Sequence, residues 1–161
     1  MQQVLTSIVA VLGTLLGAYM THVFQRRNAQ RISAESEMVR RRQEFVEAMT
    51  TYAAAAAALR RAEFDRCNKR LKKAPSADYE QARQETYRLR SEARSAYYRL
   101  RLIADPVEDV DLVQHADDAI EATQRISSAS NSELEMHRFG DAAAMALANV
   151  VNEANRRLHG G

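Results

Sequence analysis

The chain has no tryptophan, a single cysteine, two prolines and five glycines among its 161 residues. Each scarcity removes a class of explanation. With Cys67 alone, neither an intramolecular disulfide nor a thiolate metal cluster can form. With so few prolines and glycines there are few places to turn, which argues against the many short strands of a sandwich or barrel. Neither sign of charge dominates either: 23 basic against 21 acidic residues leave a formal net charge of +2. No phosphate loop, dinucleotide fingerprint, nucleophile elbow or zinc spacing occurs. The expectation is a protein with no enzymatic activity and no cofactor.

What is abundant is alanine, the best helix former, then arginine, glutamate and leucine, which follow it closely in helix propensity. The composition predicts an all-α protein. One long apolar run stands apart from the charged remainder. Val4 to Phe24 holds no charged residue, and about 20 such residues suffice to cross roughly 30 Å of hydrocarbon. A secretory signal would carry its positive charge before the apolar run. Here Met1-Gln2-Gln3 has no charged side chain, and Arg26, Arg27 and Arg31 follow it. The pattern predicts an uncleaved single-pass transmembrane anchor over residues 1–27, with its basic flank at the cytoplasmic face of the plasma membrane. The lipid bilayer is then the first expected partner. Gly13, Gly17 and Thr21 recur on one face at the small-xxx-small spacing that lets membrane helices approach closely. That face predicts a homo-oligomer.

Residues 28–161 read as a cytoplasmic helical bundle of long antiparallel helices, about four in number. No glycine or proline occurs between Gly17 and Pro75, so the anchor is expected to continue into a helix ending near Lys72. Its apolar seam is Met38, Phe45, Met49, Tyr52, Ala56 and Leu59. Breaks are expected near 73–78, 104–107 and 127–132, where "KKAPSADYE", "ADPVED" and "SSASNSELE" interrupt the periodicity. Ser76 or Asp78 is expected to cap the second helix, Asp105 the third, with Pro106 at its first position. Ser132 with Glu135 fits a capping box for the last. The second helix carries an unbroken alternation of fours and threes through Ala82, Thr86, Leu89, Ala93, Ala96, Leu100 and Ile103, a narrow coiled-coil seam. The third is expected to bury Val113, Ala116, Ile120 and Thr123. The fourth is expected to bury Leu147, Val151, Ala154 and Leu158, with Gly140 as a soft point.

Two carboxylate–histidine pairs have i, i+4 spacing, Asp111 with His115 and Glu133 with His137. Acidic residues in a first helical turn complement the helix dipole, and that account outweighs a metal site. Cys67 lies among Arg66, Lys69 and Arg70, which would favour a thiolate, but a lone cysteine on an alanine-rich helix reads as packing. Arg40 to Arg42 and the Lys69-Arg70-Lys72-Lys73 cluster can touch phosphates. Glutamates interleave with the first group, so nucleic acid is an unlikely partner and a membrane-tethered nucleic-acid-binding protein is the rival reading.

Three stretches together carry a family likeness: "TSIVAVLGTLLGAYMTHVFQRR", "RRRQEFVEAMTTYAAAAAALRR" and "RSEARSAYYRLRLIADP". In these the chain resembles the KilB-type proteins of actinobacterial conjugative plasmids. The resemblance implies a membrane protein associated with plasmid transfer or intramycelial spread, with protein partners in a transfer apparatus. It implies no enzymatic site. The combined expectation is a membrane-anchored helical scaffold that works by assembly.

Overall fold

In the computed structural model the backbone is described for residues 2–129 and 132–159, and side chains for Met20, Gln25, Ile32, Ser33, 35–129 and 132–159. Among these residues there are four α-helices and no strand. They are α1 (Gln2–Leu71), α2 (Ser76–Ile103), α3 (Val110–Arg125) and α4 (Glu133–His159), with a single 3-10 turn at Ile126–Ser128. The chain is all-α, and helix-forming composition with so few breakers accounts for it.

Two compact units divide at residue 43. In the unit comprising 1–43, the described polar contacts are local. Glu37 accepts from Arg40 and Arg41 at 2.7 and 3.1 Å, and these guanidiniums hold its carboxyl below the usual range. No helix among the described residues is long and apolar enough to cross a membrane. The expected anchor, Val4 to Phe24, lies outside the described side chains except for Met20, as do Gly13, Gly17, Thr21, Arg26, Arg27 and Arg31.

In the unit comprising 44–161, the four helical segments run up, down, up, down. α2 is antiparallel to α1, because Glu47 pairs with Arg99 and Glu63 with Arg90. α3 is parallel to α1: the Tyr52 hydroxyl donates to the Ala116 carbonyl at 2.6 Å, and Arg70 donates to the Ser127 carbonyl at 3.0 Å. α4 is antiparallel again, since Phe64 meets His137 and Phe45 lies under Arg157. α3 packs more on α4 than on α2, and α2 and α4 do not approach each other closely among the described residues. This is the geometry of a four-helix bundle with short connections.

The main core joins Phe45, Met49, Tyr52, Leu100, Leu112, Ile120 and Val150. A second cluster joins Cys67, Ile126, Ala129, Met136 and Ala143 at the other end. Phe45, Met49, Tyr52, Ala56 and Leu59 of the first-helix seam are buried. Met38 is not: it is 67% exposed, and the buried row begins only at Phe45. On α4 the buried row is Met136, Gly140, Ala143, Val150 and Ala154. Leu147 and Leu158 are partly buried beside it, and Val151 points outward. Ala154 is buried as expected, so the row departs from expectation at Val151, whose place is taken by Val150. A Cβ at Gly140 would lie 3.3 Å from Phe64 Cδ2, so the glycine is a close-packing point against α1.

Two helix starts also differ from expectation. α2 begins with Pro75 in the capping position and no side-chain cap, because Pro75 already fixes the turn and its carbonyl accepts from Tyr79 N–H. Asp105 does cap, but it caps a separate turn: its Oδ1 accepts from the N–H groups of Val107 and Glu108 at 2.8 and 3.0 Å. α3 proper starts at Val110. The last cap forms as its spacing predicts, with Glu135 N–H donating to Ser132 Oγ at 3.3 Å.

Candidate functional site: the outer face of the first helical hairpin

The second-helix seam turns inward. Ala93, Ala96 and Leu100 are buried, and Leu89 and Ile103 are partly buried. Small residues at the α1–α2 contact bring the two helices close, and polar bridges then fix their register. Thr86 Oγ1 donates to the Ala82 carbonyl of its own turn at 2.8 Å and reaches the Ala62 carbonyl of α1 at 3.4 Å. Glu63 is completely buried and is paired with Arg90 across the hairpin and with Arg66 on its own helix at 2.9 Å. A buried carboxylate without partners would cost several kcal/mol; two arginines compensate it here. Sequence periodicity missed Glu63. Its signal was its place in the apolar row, four residues after Leu59 and four before Cys67.

A second buried ion pair closes the other end. Asp109 is 2% exposed, accepts the Asp105 N–H at 2.6 Å and pairs with Arg157 of α4, whose guanidinium lies 4.2 Å from the centroid of the Phe45 ring. One arginine thus ties together α1, the loop before α3, and α4. The cation–π contact and the ion pair both favour a planar, always-charged group.

Among the described residues no group of three or more His, Cys, Asp or Glu side chains can hold a metal ion. Cys67 is buried in the second cluster, with Arg70 Nη2 3.5 Å from its sulfur. Asp111 and His115 are not brought together with Glu133 and His137, which begin at opposite ends of the α3–α4 pair.

A groove of about 590 Å³ runs between α1 and α2, floored by Ala54, Ala55, Ala58 and Ala96 and edged by Glu92 and Arg99. A smaller cleft of about 380 Å³ lies between α1 and α4 around Phe64, His137 and Gly140, with Arg60, Arg61, Asp65 and Asp141 at its rim. Its charges are mixed, and Asp65 is already paired with Lys69 at 2.9 Å.

The model of the KilB plasmid transfer protein family matches residues 46–158, which is most of the compact unit 44–161 and more than half of the chain. The chain therefore belongs to the KilB plasmid transfer protein family. No curated protein and no solved structure matches it.

Proposed function

We propose that this member of the family serves plasmid transfer as a non-enzymatic assembly protein, held at the plasma membrane by residues 1–27 with its helical bundle in the cytoplasm. The observation that carries the reading is α1: one helix from Gln2 to Leu71 contains the uncharged sequence 4–24 and supplies a wall of the bundle. Such a helix suits a protein that acts by position and contact. The basic residues after the apolar run orient it with positive charge inside, and Gly13 and Gly17 suit self-association within the bilayer. Its origin on an actinobacterial conjugative plasmid and its protein partners in a transfer apparatus are parts of the same proposal.

The rival, a tethered nucleic-acid-binding protein, draws less support from the side chains. In the two basic clusters, Arg40 and Arg41 pair with Glu37, Lys69 pairs with Asp65, and Arg70 donates to the Ser127 carbonyl, so part of each cluster is engaged within its own chain. The test is fractionation of cells producing the full chain with a reporter fused after Gly161. The expected result is a membrane-bound protein released by detergent and not by salt, with the reporter active as a cytoplasmic type. Release by high salt alone, or an externally active reporter, overturns the proposal. In the same lysate, salt-sensitive retention of plasmid DNA would favour the rival.

A further inference from the structure

Away from the core, α2 has two unlike faces. The one bordering α1 spends its charges within the chain: Arg88 pairs with Glu85 and Glu92, and Arg99 with Glu47. The other repeats arginine and tyrosine through Arg83, Tyr87, Arg94, Tyr98 and Arg101, at spacings of four, seven, four and three that keep them on one side of the helix. All five are exposed. Arg83 is held by Glu80 and Tyr87. Arg94 has no ion pair or hydrogen bond among the described residues, and Arg101 meets the Tyr97 phenol but no carboxylate.

The neighbouring edge of α3 has the opposite sign. Asp117, Asp118 and Glu121 are exposed there. Asp118 accepts from Gln114 at 2.9 Å and Glu121 pairs with Arg125 at 2.6 Å, whereas Asp117 has no ion pair or hydrogen bond among the described residues. The Asp117 charge acts on the Tyr97 phenol across the α2–α3 edge, so these two residues lie at about the same height. Arg94 and Arg101 lie about one turn to either side of it. The edge itself is not filled: a cleft of about 290 Å³ opens between the helices, lined by Arg101, Val110, Val113 and Gln114.

Adjacent edges of opposite sign decide what fits. An arginine–tyrosine face alone suits a nucleic acid strand, but the α3 carboxylates beside it repel phosphates. A second copy offers the same two edges in exchange. A twofold axis parallel to the helices, running along this edge, preserves every height and lays α2 on α3 of the second copy. It brings the second copy's Asp117 between Arg94 and Arg101. Each contact occurs twice, as an isologous interface requires. The same axis keeps α1 of both copies pointing one way, as two chains held in one membrane need. It also covers Tyr98 and Val110, which are 52% and 55% exposed.

We propose that the α2–α3 edge is a twofold interface with a second copy of this chain, its axis parallel to the helices, in which Asp117 of each copy is held between Arg94 and Arg101 of the other. It rests on the assembly reading above and specifies the surface used.

The experiment measures association of full chains carrying two different tags, co-produced and purified in detergent through one of them. One chain carries Asp117→Arg, the other Arg94→Asp with Arg101→Asp. Either variant paired with itself sets like charges together at both contacts, and its self-association is expected to be about tenfold weaker than the parent's. Mixed with each other, the two variants again place opposite charges at both contacts, and association is expected to return to the parent's strength. No contact within one chain produces that rescue. Asp117→Asn, which keeps the size of the side chain, is expected to weaken association about threefold, and it carries the test if a reversed variant does not melt like the parent. If the variants associate like the parent, the interface is overturned and the assembly reading stands on the anchor. Variants that melt like the parent, are weak alone and stay weak when mixed overturn the second copy as occupant, and loss of DNA retention confined to the arginine variant would then assign the face to nucleic acid. If a lysine-reactive reagent traps no oligomer of the parent chain, the interface and the assembly reading both fall.

Discussion

The two hairpins of the bundle are built on different chemistry. α3 and α4 meet through Leu112, Ile120, Ile126, Met136 and Val150, side chains large enough to fill the space between helix axes. α1 and α2 meet through Ala82, Thr86, Ala93 and Ala96, with a buried Glu63–Arg90 pair at one level and Glu47–Arg99 at the rim at another. Small residues supply less apolar area per contact, so the first hairpin leans on polar bridges and on Leu59 and Leu100 for its stability. The same smallness leaves an open groove on its outer side. The second hairpin fills its contact with large side chains, and the first leaves space beside it.

The contrast is sharpest at Leu100, the fully buried large side chain that α2 contributes to the main core. Leu100→Ala is expected to lower stability by about 2–5 kcal/mol in a thermal or denaturant melt. A variant that melts like the parent would show that the first hairpin does not depend on this anchor. Next come the buried ion pairs. Arg157→Ala leaves Asp109 buried with no cation, and the expected loss is about 2–3 kcal/mol, at the lower side for a buried pair because the Arg157 side chain is 33% exposed. Arg90→Ala is expected to cost less, since Arg66 still faces Glu63. The reverse order would mean that the hairpin register rests on Glu63–Arg90 more than the bundle end rests on Arg157.

Tyr52 offers a smaller effect with a pH signature. Burial pushes its phenol above the ordinary value, with the nearby Tyr97 and Asp117 acting in the same direction. Folding therefore favours the neutral phenol. That stability is fully present below the unfolded pKa of about 10 and is lost as pH rises toward the folded value. Tyr52→Phe removes the hydrogen bond to the Ala116 carbonyl, which costs about 1 kcal/mol at neutral pH. It also flattens the alkaline limb of the stability profile; an unchanged limb would assign that limb to other groups. The smallest effect is at Gly140. Alanine gains up to about 1 kcal/mol of helix propensity, and its Cβ presses on Phe64 Cδ2 from 3.3 Å. Phe64 is only partly buried, so it can yield, and the expected net gain is below about 1 kcal/mol. A clear loss would mean that the Phe64–His137 ring pair is rigid.

Much of the bundle is legible in the amino-acid order alone, and the reasons are local. Pro75, Pro106 and the serine-rich turn before Glu133 break helices through the backbone of their own neighbourhood. The alternation of fours and threes on α2 names its buried residues because the spacing of a helix is a property of one segment. What periodicity could not supply depends on atoms far away in the chain. The outward place of Val151 and the close approach of Phe64 to Gly140 belong to the packed α1–α4 contact. α3 starts at Val110 while Asp105 caps a turn of its own and Asp109 is drawn to Arg157. The inward position of Glu63 is tolerated only because Arg66 and Arg90 converge on it. Helices, their breaks and the uncharged run at the start of α1 are thus written into the order of residues. Which charged side chains converge on Glu63 and Asp109 is settled only when the helices pack, because the partners lie far apart in the chain.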